Sequence, residues 1–192
     1  MPNQKLEKFN ELVSCFEKIP GVGKKSALKY AYHVALQDSF FGLNLAHTIE
    51  DAVRFLKHCS MCGGISENEI CDICSDINRD KKTLCIVETP KDILTIEYSN
   101  SFNGLYFVFD DANKLDKLKS NIKENGIKEL LFALTPSINS DGMMLYIEDK
   151  LKDFDVSFTK IAQGIPTGVS LENVDILSLT KAIKDRRIFN KV

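Results

Sequence analysis

Apolar residues near the start of the chain recur at intervals of three and four residues, which is typical of a helix with one buried face. This first run consists of Phe9, Leu12, Val13, Phe16 and Ile19. Pro20 follows directly, and because a proline disfavours helical geometry in the residue before it, the helix is expected to end there. A second amphipathic run, from Ala27 to Leu36, predicts another helix after a short turn.

From Thr83 onward, short uninterrupted apolar runs alternate with helix-like runs. The strand-like runs cover residues 84–88, 105–109, 130–134 and 156–162, and the helix-like runs cover residues 93–99, 115–123 and 143–151. Strands that are apolar on both faces are typical of a parallel sheet covered by helices. The pattern therefore predicts an α/β sheet region that follows an amino-terminal helical module along the chain.

Acidic residues follow the predicted strands at their carboxyl ends, where open α/β sheets carry their functional groups. Glu88 follows the first strand, Asp110 and Asp111 follow the second, and an acidic loop at residues 135–141 follows the third. These carboxylates could bind magnesium and support phosphoryl chemistry. Acids in such positions also serve as helix caps and turn residues, and we favour that interpretation over catalysis while allowing weak metal binding.

Four cysteines form two Cys-x-x-Cys pairs separated by eight residues, namely Cys59, Cys62, Cys71 and Cys74. Each pair can present two sulfur atoms to one point, so two pairs supply the tetrahedron of a closed structural zinc site. Two disulfides, a redox dithiol and an iron–sulfur cluster are the alternatives. Gly63 and Gly64 suit a tight knuckle, because glycine accepts the backbone angles that bring amides toward sulfur.

The composition is that of a soluble globular protein, with 44% hydrophobic and 27% charged residues among 192. The first residues show no apolar signal region and no stretch approaches a membrane span, so a cytoplasmic location is expected. The other two cysteines, Cys15 and Cys85, fit buried reduced thiols. Because the net charge is −2, any contact with nucleic acid must come from local basic patches.

One such patch surrounds the turn between the first two predicted helices. Gly21 and Gly23 permit a tight turn that exposes backbone amides at the start of the second helix, and three lysines lie close by, Lys24, Lys25 and Lys29. Exposed amides and the positive end of a helix can hold a phosphate without reading bases. This arrangement is that of a helix-hairpin-helix, although a plain helix-loop-helix with a solvated lysine face has the same pattern.

A second basic patch lies on the last predicted helix, which carries Lys181, Lys184, Arg186 and Arg187. This helix is expected either to face DNA, to contact another subunit, or to present a solvated face.

Catalytic constellations are not evident in the sequence. The three histidines, His33, His47 and His58, lie in helix-like stretches and are expected to be surface or packing residues. The segment at residues 21–26 lacks the upstream strand and the spacing of a Walker A loop, which argues against nucleotide hydrolysis. The sequence therefore predicts a scaffold rather than a catalyst.

Four segments occur in a specific order along almost the whole chain. They are Ile-Pro-Gly-Val-Gly-Lys-Lys-Ser-Ala from residue 19, the cysteine knuckle that continues to Asp80, the strand at residues 84–88, and Ile-Ala-Gln-Gly-Ile-Pro-Thr-Gly from residue 161. Together they resemble the RecR family of bacterial recombination mediators. The resemblance implies a multidomain α/β protein with a helix-hairpin-helix module (1–56), a four-cysteine zinc finger (57–78), a Toprim-type parallel sheet with flanking helices (79–163) and a C-terminal Walker B-like segment and helix (164–192).

The resemblance also implies a function without enzymatic activity. Members of the family form a ring-like homotetramer that encircles or clamps DNA at the nucleoid, with one structural zinc ion per chain. They work with RecO, and in many bacteria with RecF, to load RecA onto gapped single strands coated by SSB. The alternative is a Toprim-type metal-dependent nuclease or primase-like phosphotransferase, in which Glu88, Asp110 and Asp111 would bind magnesium.

Several positions correspond to functional residues of the family. Lys25 and Lys29 match basic positions that touch DNA, whereas Lys24 stands where the family often has proline. Glu88 matches the Toprim glutamate. The two glutamates of the later acidic loop fall on Asn139 and Asp141, so one charge is lost, and residues 107–113 depart from the family's glycine-rich loop. These departures concern a weak divalent-ion or partner site on Glu88, Asp110, Asp111 and Asp141.

Overall fold

The computed structural model describes residues 6–186 and divides the chain into two compact units that meet in sequence between Leu56 and Lys57. Arg187, one of the four basic residues predicted for the last helix, lies outside the described residues. Each unit is described by itself below.

The first unit is helical and consists of α1 (Glu7–Glu17), α2 (Lys24–Tyr32), a π-helical turn (His33–Gln37) and α3 (Ser39–Phe55). α1 packs against α2, and the rings of Phe16 and Tyr30 meet edge to face with centroids 5.9 Å apart. Ala27 and Ala31 are fully buried on α2, where their small side chains allow another helix to come close.

The second helix differs from its predicted bounds. It begins at Lys24 rather than Ala27, and its regular part ends at Tyr32 rather than Leu36, because the chain widens there into the π-helical turn. The side chain of Asp38 then accepts a hydrogen bond from the amide of Phe41 at 2.9 Å and so caps the start of α3.

Two residues are placed differently from expectation. Cys15 is exposed on α1 rather than buried, because the half-buried residues of α1 are Phe9, Leu12, Val13 and Phe16, which lie on another face of the helix. His58 lies in a short strand rather than a helix, since the chain leading into the cysteine knuckle pairs as a hairpin. His33 and His47 lie in helical segments and are exposed, as expected.

The second unit starts with a small hairpin that carries the first pair of knuckle cysteines. Strand β1 (Lys57–His58) pairs antiparallel with β2 (Ile65–Ser66), and a short helix, α4 (Asp72–Ser75), follows. The two strands frame the first Cys-x-x-Cys turn, and α4 carries the second pair.

A four-stranded sheet forms the body of this unit, and its strands are β3 (Asp80–Val87), β4 (Gly104–Val108), β5 (Glu129–Phe132) and β6 (Ser157–Lys160). The order across the sheet is β4-β3-β5-β6, and all neighbouring strands run parallel. Its helices are α5 (Pro90–Tyr98), α6 (Leu115–Asn125), α7 (Ile138–Lys150) and α8 (Ile176–Lys184). The prediction of a parallel sheet with flanking helices is confirmed, and Cys85 is buried on β3 as expected.

Alternate residues of β3 and β4 face two different clusters. Leu84, Ile86 and Phe107 point into one core together with Leu118 and Ile122 of α6, Ile147 of α7 and Leu151 directly after α7. Cys85, Val87, Tyr106 and Val108 point to the opposite face, where they pack with Ile93 of α5 and with three of the knuckle cysteines. Because successive strand residues point to opposite faces, one strand supports both clusters.

Local signals explain where the helices of the sheet begin and end. Thr89 and Asp92 form a capping box at α5, and Pro90 occupies the first turn, where its missing amide costs nothing. Gly126 ends α6 in a left-handed conformation with φ of 64°.

The Walker B-like character of the carboxyl-terminal segment stays a prediction. Within residues 164–186 the structure contains a 3-10 turn (Leu171–Asn173) and α8, and no strand. Gly164, Pro166 and Gly168 interrupt the apolar residues there, so no continuous strand-forming run exists.

Candidate zinc centre and nucleic-acid interface

The four knuckle cysteines converge on one point. Their Sγ atoms all lie within 4.8 Å of one another, and the distance is 3.9 Å from Cys59 to Cys74 and 3.6 Å from Cys62 to Cys71. Four sulfurs around one zinc ion, with bonds of about 2.3 Å, would lie about 3.8 Å apart. A disulfide needs about 2.05 Å, and an iron–sulfur cluster would spread its cysteines around several iron atoms. The spacing therefore fits a single tetrahedral ion.

Backbone groups of the knuckles support the sulfur atoms. The amide of Gly64 donates to Cys62 Sγ at 3.2 Å, and the amide of Cys71 donates to Cys59 Sγ at 3.3 Å. Gly63 adopts φ of 78°, a left-handed conformation that favours glycine and gives the first turn its shape. These contacts hold two thiolates in place through charge-assisted hydrogen bonds.

The thiols influence one another's protonation. A hydrogen bond from the Cys74 thiol, together with the amide of Gly64, lowers the pKa of Cys62 to about 5. Burial raises the pKa of Cys71 to about 11, and the pKa of Cys74 also rises because its proton is shared with Cys62 and because it is buried. Four thiolates at this distance repel one another, so they require a divalent cation to be held together.

The zinc knuckle is packed against the sheet. Cys59, Cys62 and Cys71 belong to the same buried cluster as Val87, Tyr106 and Val108. A Cβ atom at Gly64 would lie 3.1 Å from Cδ1 of Ile93, so the knuckle backbone approaches α5 closely. The zinc finger is therefore part of the core of the second unit rather than an appendage.

A partly buried polar network joins the end of the cysteine knuckle to the sheet and α5. Arg79 donates to both carboxylate oxygens of Glu97 on α5, one of them at 2.9 Å, and to the carbonyl of Gly104 at 3.2 Å. The hydroxyl of Tyr106 donates to the same carboxylate at 2.6 Å. The hydrogen bond from Arg79 holds the pKa of Glu97 below its ordinary value, whereas burial raises the pKa of Tyr106.

The sequence did not predict this network. Arg79 lies inside one of the segments that resemble the family, but its partner Glu97 is 18 residues away and follows no recognisable motif. The one usable signal is that successive residues of β4 point to opposite faces of the sheet, which predicts that Tyr106 faces the knuckle and α5.

The hairpin between α1 and α2 has the geometry of an anion-binding turn. Gly21 adopts φ of 82°, and the amide of Val22 donates to the carbonyl of Ile19 at 3.0 Å. Gly23 is the N-cap of α2, where no side chain caps the helix. Among the hydrogen bonds of residues 6–186, none uses the amides of Gly23, Lys24 or Lys25, and these amides lie at the positive end of α2.

Three lysines surround those amides. Lys24, Lys25 and Lys29 are exposed, and no ion pair within residues 6–186 involves any of them. The hairpin thus combines positive side chains with amides that have no acceptor among the described residues. This arrangement can bind the phosphates of a nucleic-acid backbone.

The acidic residues at the strand ends have separate roles in this structure. Asp110 pairs with Lys114 at 2.6 Å, and this hydrogen bond lowers the pKa of Asp110. Asp111 caps the 3-10 turn (Ala112–Lys114) by accepting from the amide of Asn113 at 2.8 Å. Glu88 is half-buried after β3, and Asp141 is exposed in the first turn of α7.

These acids are not gathered around one point. Within residues 6–186, the four cysteines are the one group of three or more cysteine, histidine, aspartate or glutamate side chains whose ligand atoms converge. The weak divalent-ion or partner site on Glu88, Asp110, Asp111 and Asp141 stays a prediction.

Comparison with known proteins agrees with this arrangement. Residues 9–53 match the RecR helix-hairpin-helix, residues 56–76 the RecR four-cysteine zinc finger domain, and residues 82–162 the Toprim domain. The chain is therefore a three-module protein that joins these domains in this order.

Relatives match nearly the full length. The chain is 58% identical over 183 residues to the Recombination protein RecR of Campylobacter jejuni subsp. doylei, covering 94% of this chain and 96% of that protein. It is 55% identical over 184 residues to the Recombination protein RecR of Nitratiruptor sp., covering 95% and 97%. It is 46% identical over 183 residues to the Recombination protein RecR of Helicobacter pylori, covering 94% and 95%. The chain belongs to the RecR family.

The match to the four-cysteine zinc finger domain and the geometry of the sulfur atoms agree on the metal. Cys59, Cys62, Cys71 and Cys74 bind one structural zinc ion. All four positions of a tetrahedral ion are taken by protein, so the ion has no open position for catalysis. No helix in the described part of the chain is long and apolar enough to cross a membrane.

Proposed function

We propose that this protein is a non-enzymatic, DNA-binding mediator of recombinational repair, which acts in the cytoplasm at the nucleoid. It holds the DNA backbone through the hairpin at residues 21–29, and works with RecO, and with RecF where the cell has it, to help load RecA on single-stranded gaps coated by SSB. The family membership supports the role in recombination, since the relatives carry the name Recombination protein RecR.

The observation that carries the DNA-binding proposal is the set of amides at the start of α2 without an acceptor within the described chain. Nearly every backbone amide in a folded protein donates a hydrogen bond, either to another protein group or to water. Amides that face solvent beside Lys24, Lys25 and Lys29 are ready to exchange water for phosphate oxygens. Such contacts fix the position of the backbone and read no sequence.

Exposed apolar faces support assembly into a homo-oligomer, which we propose is a tetrameric ring. None of the 17 residues of α3 is buried within the described chain, and the apolar side chains of Phe40 and Val53 are 83% and 78% exposed. None of the residues of α8 is buried either, and Ile176 is 81% exposed. Large unpartnered apolar faces mark protein interfaces. A ring also lets several hairpins share one DNA molecule, so that weak contacts multiply through effective concentration.

The salt dependence of DNA binding tests the role of the hairpin. If Lys25 and Lys29 each neutralise one phosphate, replacing both by alanine should lower the slope of log affinity against log salt by about two units. Affinity should fall equally for unrelated sequences. The matched control replaces Lys91 and Lys117, which are exposed on α5 and α6 and form no ion pair with described residues.

An unchanged salt slope in the Lys25→Ala, Lys29→Ala variant would show that these lysines form only a solvated face. An equal loss in the control variant would place the DNA contact elsewhere. Native particle mass, measured with and without gapped DNA, tests the ring. Removal of residues 168–192 should yield smaller particles that bind DNA far more weakly, whereas monomers that bind like the full chain would exclude the ring.

The enzymatic alternative needs a separate assay. A Toprim nuclease would nick supercoiled plasmid in the presence of magnesium or manganese, and Glu88→Ala would abolish the nicking. We expect no nicking by either protein, because the acids do not converge within the described residues. Metal-dependent nicking that is lost in Glu88→Ala would overturn the proposal of a non-enzymatic mediator.

A further inference from the structure

Strand β4 lies at the edge of the sheet, and its outer side is covered by the first zinc knuckle, residues 59–64. The amide of Phe109 donates inward to the carbonyl of Val87 at 2.9 Å, so the preceding amide points outward. That amide, of Val108, donates to the carbonyl of Cys62 at 2.8 Å. The knuckle therefore binds directly to the free edge of the Toprim sheet.

A lysine from the loop after β4 reaches the same knuckle. A Cβ atom at Gly63 would lie 3.2 Å from Cβ of Val108 and 3.9 Å from Nζ of Lys114, so both side chains are close neighbours of the tip of the knuckle. The ammonium group of Lys114 is held in that place by Asp110, whose Oδ1 lies 2.6 Å away. Nδ1 of His58 donates to the carbonyl of Gly63 at 3.1 Å.

The negative charge of the zinc centre favours a cationic side chain beside it. One divalent ion with four thiolates carries a net double negative charge, which the surrounding protein must offset. The amides of Gly64 and Cys71 offset part of it through their hydrogen bonds to sulfur. The ammonium group of Lys114 lies near the tip of the first knuckle and is paired with the carboxylate of Asp110, so the pair carries no net charge and acts by placing its positive end there. The ion pair with Asp110 holds this ammonium group beside the knuckle rather than in solvent.

We propose that Lys114 and Asp110 are a positioning pair for the zinc finger, which holds the first knuckle on the edge of β4 and thereby slows the release of zinc. Asp110 then serves the zinc finger, and not a divalent-ion site of the Toprim sheet. The pair is partly exposed, with 33% of the Lys114 side chain and 53% of the Asp110 side chain accessible, so its contribution is modest.

Zinc release from the full-length protein tests the pair directly. Transfer of zinc to a chromogenic chelator under native conditions should be about three- to fivefold faster in Lys114→Met than in the unmodified protein. Lys114→Arg keeps the positive charge and should release zinc at nearly the original rate. Lys117→Met is the matched control, since Lys117 is exposed on α6 and forms no ion pair with described residues.

Deuterium uptake separates positioning from general destabilisation. In Lys114→Met, uptake should rise in a peptide covering residues 104–114 and stay unchanged in one covering residues 127–133, which includes β5 on the other side of β3. Release of zinc at the control rate would overturn the proposal. So would equal rates in Lys114→Arg and Lys114→Met, or a rise in uptake of the same size in both peptides.

Discussion

The helical unit and the zinc–Toprim unit differ most in the apolar surface that each buries by itself. Among residues 6–56, only Ala27 and Ala31 are buried. The second unit instead contains two buried clusters, one on each face of the sheet, and one of them includes the zinc ligands. The second unit thus carries its own core, whereas the first exposes apolar side chains that a partner subunit could cover.

This difference assigns different tasks to the two units. A sheet with a core on both faces and a closed metal site forms a rigid body. The first unit has open apolar faces, which the assembly proposed above would cover. We therefore expect changes in the second unit to alter the stability of the single chain, and changes in the first to alter assembly and DNA binding.

The largest effect is expected from loss of a zinc ligand. Cys62→Ser or Cys71→Ser should lower the free energy of unfolding of the second unit by more than about 4 kcal/mol, because metal binding and local folding form one equilibrium. Metal analysis should give near one zinc ion per chain in the unmodified protein and much less in the variants. Cys15→Ser, at an exposed cysteine of the first unit, is the control and should change neither quantity.

Stoichiometric iron in place of zinc, or a metal-free protein of unchanged stability, would contradict a structural zinc site. Helical signal from the first unit should persist in the Cys62→Ser variant. Its disappearance would show that the two units do not fold independently.

A pair of apolar substitutions sharpens the comparison between units. Leu118→Ala removes a buried side chain of α6 from the core. It should lower the free energy of unfolding by about 2–5 kcal/mol, measured by chemical denaturation, and leave particle mass unchanged. Phe40→Ser, on the exposed face of α3, should cost a monomeric chain less than about 0.5 kcal/mol but reduce the particle mass. Equal particle masses for Phe40→Ser and the unmodified protein would show that this face is not an interface.

The features that the sequence predicted correctly depend on local spacing. The four cysteines, the uninterrupted apolar strands and the turn at Gly21 and Gly23 each follow from residues close together in the chain. Spacing along the chain does not distinguish a zinc site from disulfides, because it does not fix the distances between the sulfur atoms.

Features that depend on contacts distant in sequence were not predictable. The Arg79–Glu97 pair and the proximity of Lys114 to the knuckle involve residues from different elements. The exposure of Cys15 also escaped prediction, because an apolar run indicates a helix but does not say how much of its surface the chain itself covers.

A smaller effect is expected from the Arg79–Glu97 network, and it depends on pH. The guanidinium group lowers the pKa of Glu97 in the folded protein, so the stability it adds is present above the unfolded pKa of about 4.3 and is lost as pH falls through the folded value. Glu97→Gln should cost about 1 kcal/mol at neutral pH and flatten the fall of stability below about pH 5. Glu124→Gln, on the exposed side of α6, is the control. An identical acid profile for Glu97→Gln and the unmodified protein would contradict this role.

The sharpest test of the hairpin comes from its two glycines. Gly21→Ala should cost about 1 kcal/mol, because φ of 82° strains any residue with a Cβ atom. Gly23 has φ of −85°, and a Cβ atom there would meet nothing within 4 Å, so Gly23→Ala should fold normally and cost at most about 1 kcal/mol, since alanine is a poorer N-cap than glycine. If a phosphate approaches the amides at the start of α2, the added methyl group must hinder it, and DNA affinity should fall although the fold is intact. A Gly23→Ala protein that binds DNA with unchanged affinity would show that the backbone of the hairpin does not contact phosphate.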